Sequence, residues 1–231
     1  EMGHALVTYY TPGADPVHKI SVIPRGFGAL GFTMALPKED RYLMTRRELL
    51  ARIDILFGGR VAEETVFAEI STGAQDDLQK ATDIAKRMVM EYGMSEKCGP
   101  RTFSSERSSF IQASSGPMSF QKEYSEASAE QIDLEVKNIL DAAYSRVRNL
   151  ILLKKDMLIR FAAILTEKEV LESRDFEQLI ENYERTNGQL ISIESLPPKA
   201  ESAEAEKEKE GSEVFSAPPA TTEPGTLLTD L

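Results

Sequence analysis

Two residues able to do chemistry stand at the start of the chain: Glu1 and His4, in "EMGHALVTYY". Residues three apart on a helix are neighbours, about 5–6 Å between Cβ atoms, so a carboxylate and an imidazole so spaced reach one small site. With a His directly before Glu1 the stretch would read H-E-x-x-H, in which two imidazoles on one helix face bind zinc and the Glu acts as general base. Taken alone, the pair fits equally a helix terminus with a surface Glu and a half-buried His. A catalytic zinc takes three protein ligands and keeps one position open. Carboxylates able to supply a further ligand are Glu63 and Glu64 in "GGRVAEE", and Asp76 and Asp77 in "STGAQDDLQKAT". The Asp pair also has an ordinary explanation, since acids in a helix's first turn favour its dipole.

The elements that must hold these residues can be read from the pattern. After the first helix, the "TPGADP" break leads into "HKISVIP" and "ALGFTMALP", two short β-rich runs joined by a Gly-rich connection, which predicts a small hairpin or meander. "TRRELLARIDILFGGRVAEETVF" reads as helix, with Thr45 and Glu48 in capping-box spacing and a Gly pair that either breaks it or permits close packing. Leu78, Ala81, Ala85, Met88, Val89 and Tyr92 fall on one helical stripe, and Gly93 supplies its stop. Residues 101–123 are Ser-rich and permit no firm assignment. From Ser125 to Tyr183 the pattern is helical throughout, and Thr166 with Glu169 has the spacing of another capping box. No His or Cys occurs in that second half, so it reads as packing or assembly structure rather than chemistry.

Composition bounds the function. Of 231 residues, 27 are Lys or Arg and 38 Asp or Glu, for a formal net charge of −11. That balance, without any basic cluster, argues against nucleic-acid binding. Cys98 is the single cysteine, which excludes a disulfide framework and a Cys-based zinc cluster and predicts a small buried side chain. Apolar runs such as "FAAIL" at 161–165 are far too short to span a bilayer. From Pro197 onward eight acids against three lysines, with little that is large and apolar, predict a disordered acidic tail.

The chain carries a second motif. "GFGALG" at 26–31 matches G-x-G-x-x-G and comes after a predicted strand, but dinucleotide binding requires a helix next. The next residues are "FTMALP", β-rich and ended by Pro37, so the segment reads as a hairpin loop. No P-loop sequence occurs anywhere in the chain.

"GHALV", "VHKISVIPRG", "ALGFTMALP", "GGRVAEE" and "STGAQDDLQKATDIAKRMVMEYGMSE" occur in the order and at about the spacing of the peptidase domain of FtsH-type ATP-dependent zinc metalloproteases. The resemblance continues through "YSEASAEQIDLEV" to about Tyr183 and covers nearly everything but the tail. It implies a mainly α (α+β), zincin-like helical peptidase domain with a small β hairpin or sheet. Residues 1–100 would form the zinc-peptidase core, 101–195 its helical C-terminal part, and 196–231 the disordered tail.

That resemblance also implies roles. Glu1 matches the family's catalytic base and His4 its second zinc ligand. Asp77 matches the third, leaving Asp76 at a variable position and Glu63 and Glu64 as structural residues; His18 matches no ligand position. The family's first ligand, the leading His, would stand just before Glu1, so the chain is expected to begin within the active-site helix. The strand Leu30, Gly31, Phe32, Thr33 and Met34 is expected to bind an extended polypeptide by main-chain pairing. The cofactor implied is one Zn2+ per subunit, with ATP and Mg2+ bound only by an ATPase domain outside this chain. Implied partners are polypeptide substrates and the other subunits of a homo-hexamer, at the cytoplasmic face of the bacterial inner membrane or the corresponding organelle membrane, with membrane contact only through segments absent here. An inactive pseudoprotease or assembly module of such a hexamer is the competing reading, and the residue preceding Glu1 separates the two.

Overall fold

The structure is a computed structural model and describes residues 1–24, 31–36, 43–103 and 124–187. The chain divides into two units, Glu1–Pro198 and Lys199–Leu231, and all the described residues belong to the first. The expectations for Leu30, for most of the Gly-rich connection and for the acidic tail lie outside the described residues.

Helix α1 (Met2–Tyr10) buries Met2, Ala5, Leu6, Val7 and Tyr10, so only a narrow face of it meets solvent. Strands β1 (Val17–Ser21) and β2 (Phe32–Ala35) pair antiparallel, with Ile20 opposite Thr33. A strand rather than a helix thus comes after Gly31, as the hairpin reading expected. Helix α2 (Arg46–Phe67) starts at the expected capping box: Thr45 Oγ1 accepts from the Glu48 amide while the Glu48 carboxylate accepts from the Thr45 amide.

The Gly pair inside α2 permits close packing. A Cβ on Gly58 would stand 2.9 Å from Gly3 O and from His4 Cα, and one on Gly3 would stand 2.3 Å from Gly58 O. Each glycine costs the helix about 1 kcal/mol relative to alanine, and in exchange the backbones of α1 and α2 touch. Helix α2 ends at Ala68, whose φ of 56° reverses the chain. After a 3-10 turn (Thr72–Ala74), α3 (Gln75–Met90) runs back along α2. Ala81, Ala85, Met88 and Val89 are buried on its inner face as the stripe predicts, whereas Tyr92 is 43% exposed beneath the Arg87 guanidinium. Gly93, at φ 60°, turns the chain so that the Met94 amide returns to the Met88 carbonyl.

The second half is helical with one correction. Helix α4 (Glu126–Leu153) packs across α2 and α3, α5 (Lys155–Lys168) begins after a break at Lys154, and α6 (Ser173–Asn187) is the last described element. Between α5 and α6 the chain forms a strand, β3 (Val170–Glu172), that pairs antiparallel with β1 and completes a sheet of order β2-β1-β3. The Thr166–Glu169 capping box is therefore absent. Glu169 instead ends α5 in a left-handed conformation, φ 61°, and the Thr166 hydroxyl donates to Ala162 O inside the helix. Local spacing was right for a cap, but Leu171 is fully buried beside Ile20 of β1 and the chain turns to bury it. Cys98 is buried, as expected of a small apolar side chain.

Candidate metal centre

His4 projects from the first turn of α1 onto Gly59 of α2. A Cβ there would stand 2.4 Å from His4 Nε2, so the absence of a side chain at 59 is what gives the ring its slot. On the ring's other side Nδ1 is 2.8 Å from the carbonyl oxygen of Ile55. A carbonyl only accepts, so Nδ1 carries a proton and donates it, and in the neutral imidazole Nε2 is left with a bare lone pair.

That lone pair meets Asp77. Oδ2 of Asp77 lies 3.3 Å from His4 Nε2, with the two side chains 26% and 18% exposed. Two acceptors this close repel one another unless a proton or a cation lies between them. Bond lengths of about 2.0–2.2 Å to zinc and a tetrahedral angle between them set a nitrogen and an oxygen ligand about 3.3 Å apart. A ligating His whose other nitrogen donates to a backbone carbonyl is also the usual outer-shell arrangement of a metal site. The donor set therefore fits a divalent metal of zinc's preferences. Among the described residues, no group of three or more His, Cys, Asp and Glu gathers that could hold a metal ion.

The other carboxylates are engaged elsewhere. Asp76, next to Asp77 but on another side of the helix, is 76% exposed and pairs with Lys80 at 2.5 Å. Glu63 accepts from the Ser71 amide at 3.1 Å, and the Ser71 hydroxyl and amide hold its carboxyl below the ordinary value. Glu64 accepts a hydrogen bond from the Tyr144 hydroxyl, and burial together with this bond pushes the Tyr144 phenol up. Glu1 sits over β2, its Oε2 accepting from the Thr33 hydroxyl at 2.7 Å. Gly31, Phe32, Thr33 and Met34 lie along that edge of the sheet, where among the described residues no strand pairs with the outer side of β2. His18 is exposed on β1, away from these contacts.

The profile of peptidase family M41 matches residues 1–179. The chain belongs to that family. A protein called "ATP-dependent zinc metalloprotease FtsH" in Syntrophobacter fumaroxidans (strain DSM 10017 / MPOB) is 50% identical over 179 residues, 77% of this chain and 27% of that protein. "ATP-dependent zinc metalloprotease FtsH 2" of Bdellovibrio bacteriovorus (strain ATCC 15356 / DSM 50701 / NCIMB 9529 / HD100) is 48% identical over 78% of this chain and 29% of that protein. The chain thus spans between a quarter and a third of the length of these relatives.

Three contacts of this M41 chain had no signal in the sequence. Ile55 acts through its carbonyl, which its side chain does not advertise. Gly59 was legible only as one of two adjacent glycines, without a hint that it faces His4. Thr33 was read as part of a strand rather than as a partner of Glu1.

Proposed function

We propose that this M41 chain is the zinc-dependent endopeptidase part of a membrane-anchored, ATP-dependent protease that cuts unfolded or membrane polypeptides. His4 and Asp77 would hold the metal, together with a histidine preceding Glu1. The observation that carries the reading is the meeting of two acceptors, Nε2 of His4 and Oδ2 of Asp77, at 3.3 Å with the His4 tautomer set by Ile55. A zinc ion bound there supplies Lewis acidity and makes water nucleophilic at neutral pH.

Glu1 is the general base in this reading. Its carboxylate takes a proton from the water that attacks the peptide carbonyl and returns it to the leaving amide nitrogen. Ile55 keeps the proton of His4 on Nδ1, so that Nε2 stays available. The Gly31–Met34 segment holds the substrate extended, by main-chain pairing along β2. Main-chain pairing reads no side chains, so selection falls to whatever delivers the polypeptide. In this reading that is a hexamer of ATPase domains, at the cytoplasmic face of the bacterial inner membrane or the corresponding organelle membrane. Membrane anchoring is assigned to segments other than the helices described here, none of which is long and apolar enough to cross a membrane.

The test is a pair of substitutions at neighbouring positions in the full protein. Asp77→Asn should release most bound zinc and abolish casein degradation, while Asp76→Asn should leave both nearly intact. Equal behaviour of the two, or loss of metal on Glu64→Gln instead, overturns the site. Under the plain helix-dipole explanation either Asp substitution costs only about 0.3–1 kcal/mol of stability.

A further inference from the structure

We infer that Thr33 is a positioning residue for the base: its hydroxyl fixes one oxygen of the Glu1 carboxylate so that the other is presented for proton transfer. The inference rests on the reading of Glu1 as general base and adds a residue to it.

Thr33 Oγ1 lies 2.7 Å from Glu1 Oε2 and 3.1 Å from the Glu1 carbonyl oxygen. A hydroxyl has a single proton, and the nearer, ionised oxygen is the stronger acceptor, so that proton belongs to the carboxylate. Two residues earlier on the same face of the strand, Gly31 leaves room for the other oxygen. A Cβ at Gly31 would stand 2.8 Å from Glu1 Cγ and 3.1 Å from Glu1 Oε1. The cradle therefore treats the two oxygens differently, binding Oε2 through a hydroxyl and leaving Oε1 over an open backbone.

The consequence is geometric. Thr33 is held in the sheet by its pairing opposite Ile20, so its hydroxyl is fixed relative to the strand edge on which a substrate backbone would lie. Base and substrate then share one rigid reference, although Glu1 belongs to α1. General-base efficiency depends on placing the carboxylate within hydrogen-bond reach of the proton it takes, and a misplacement of about 1 Å costs on the order of a hundredfold. Without the hydroxyl, the Glu1 side chain is free to leave this rotamer.

Two substitutions give opposite rank orders for the two explanations. Valine keeps the shape and strand preference of threonine and loses only the hydroxyl. Serine keeps the hydroxyl and loses the branching that strands favour. If Thr33 serves only the strand, Thr33→Val is the milder change, and Thr33→Ser raises KM and lowers Tm more. If it positions Glu1, Thr33→Val lowers kcat roughly ten- to a hundredfold with KM and zinc content unchanged, and Thr33→Ser recovers kcat to within about threefold, the spread expected when the donor is retained.

The assay is casein degradation by the full protein, with zinc content measured on the same samples and Glu1→Gln as the reference. Glu1→Gln should abolish turnover, and adding Thr33→Val to it should change nothing further. Were Glu1→Gln to retain full turnover, the base assignment itself would fail and Thr33 with it. Loss of turnover in Glu1→Gln together with a Thr33→Val enzyme as fast as Thr33→Ser overturns the positioning role alone.

Discussion

His4 and Ile55 are joined by one hydrogen bond, ring Nδ1 to carbonyl oxygen at 2.8 Å, across 51 positions of sequence. That bond places the proton of the neutral His4 ring on Nδ1, and so leaves Nε2, facing Asp77, as the acceptor of the neutral imidazole. It depends on α1 lying against α2 closely enough for an imidazole to reach a helix carbonyl, and this closeness depends on Gly3, Gly58 and Gly59. One helix therefore sets both sides of the site. Helix α2 grips His4 at its middle, and Arg60 and Glu63 hold Ser71 just ahead of the turn into α3, which carries Asp77.

Adjacent glycines should fail in different ways. An alanine at Gly58 would press on backbone, Gly3 O and His4 Cα, both at 2.9 Å, and Gly58→Ala should cost about 1–3 kcal/mol as overpacking, seen as a fall in Tm. The three atoms nearest to a Cβ at Gly59 all belong to the His4 ring, a side chain rather than backbone. Gly59→Ala should leave Tm unchanged or slightly raised, because alanine favours helices by about 1 kcal/mol, while removing most of the zinc affinity in the full protein. Equal losses of Tm would show that His4 cannot turn aside.

Asp54 makes one part of the stability pH-dependent. Burial pushes its carboxyl up from 3.8 to about 6, against the pull of Arg146, which donates to both carboxylate oxygens. The folded chain thus holds a proton there over a range where the unfolded chain has released it. The contribution is full below about pH 4 and is lost as pH rises through about 6, by roughly 3 kcal/mol for a rise of that size. Urea unfolding of the wild type and Asp54→Asn at pH 4.5 and 7 should show the variant gaining on the wild type at the higher pH. A change in the other direction would mean that the Arg146 pair outweighs the burial.

Two threonines with the same local spacing should give different losses. Thr45→Ala removes a working cap and should cost about 1 kcal/mol, a fall in Tm of about 2–4 °C for a chain of this size. Thr166 caps nothing and donates within α5, and alanine is the better helix former. Thr166→Ala should therefore leave Tm unchanged or raise it slightly. A loss at Thr166 equal to that at Thr45 would contradict the helix boundary at Glu169.

What the sequence determined by itself is local. Period and capping residues wrote α2 from Thr45 and the buried stripe of α3, because a helix's bonds and its apolar face are fixed within a few neighbouring residues. The M41 motifs pointed to His4 and Asp77 by order and spacing. Only the tertiary structure decided what required two distant segments at once. Val170–Glu172 is a strand because β1 is beside it, and its local spacing suited a helix start just as well. The roles of Ile55 as acceptor, Gly59 as slot and Thr33 as partner of Glu1 arise from backbone positions and close approach. No side-chain type announces these, so they become readable only when α1, α2 and β2 are packed together.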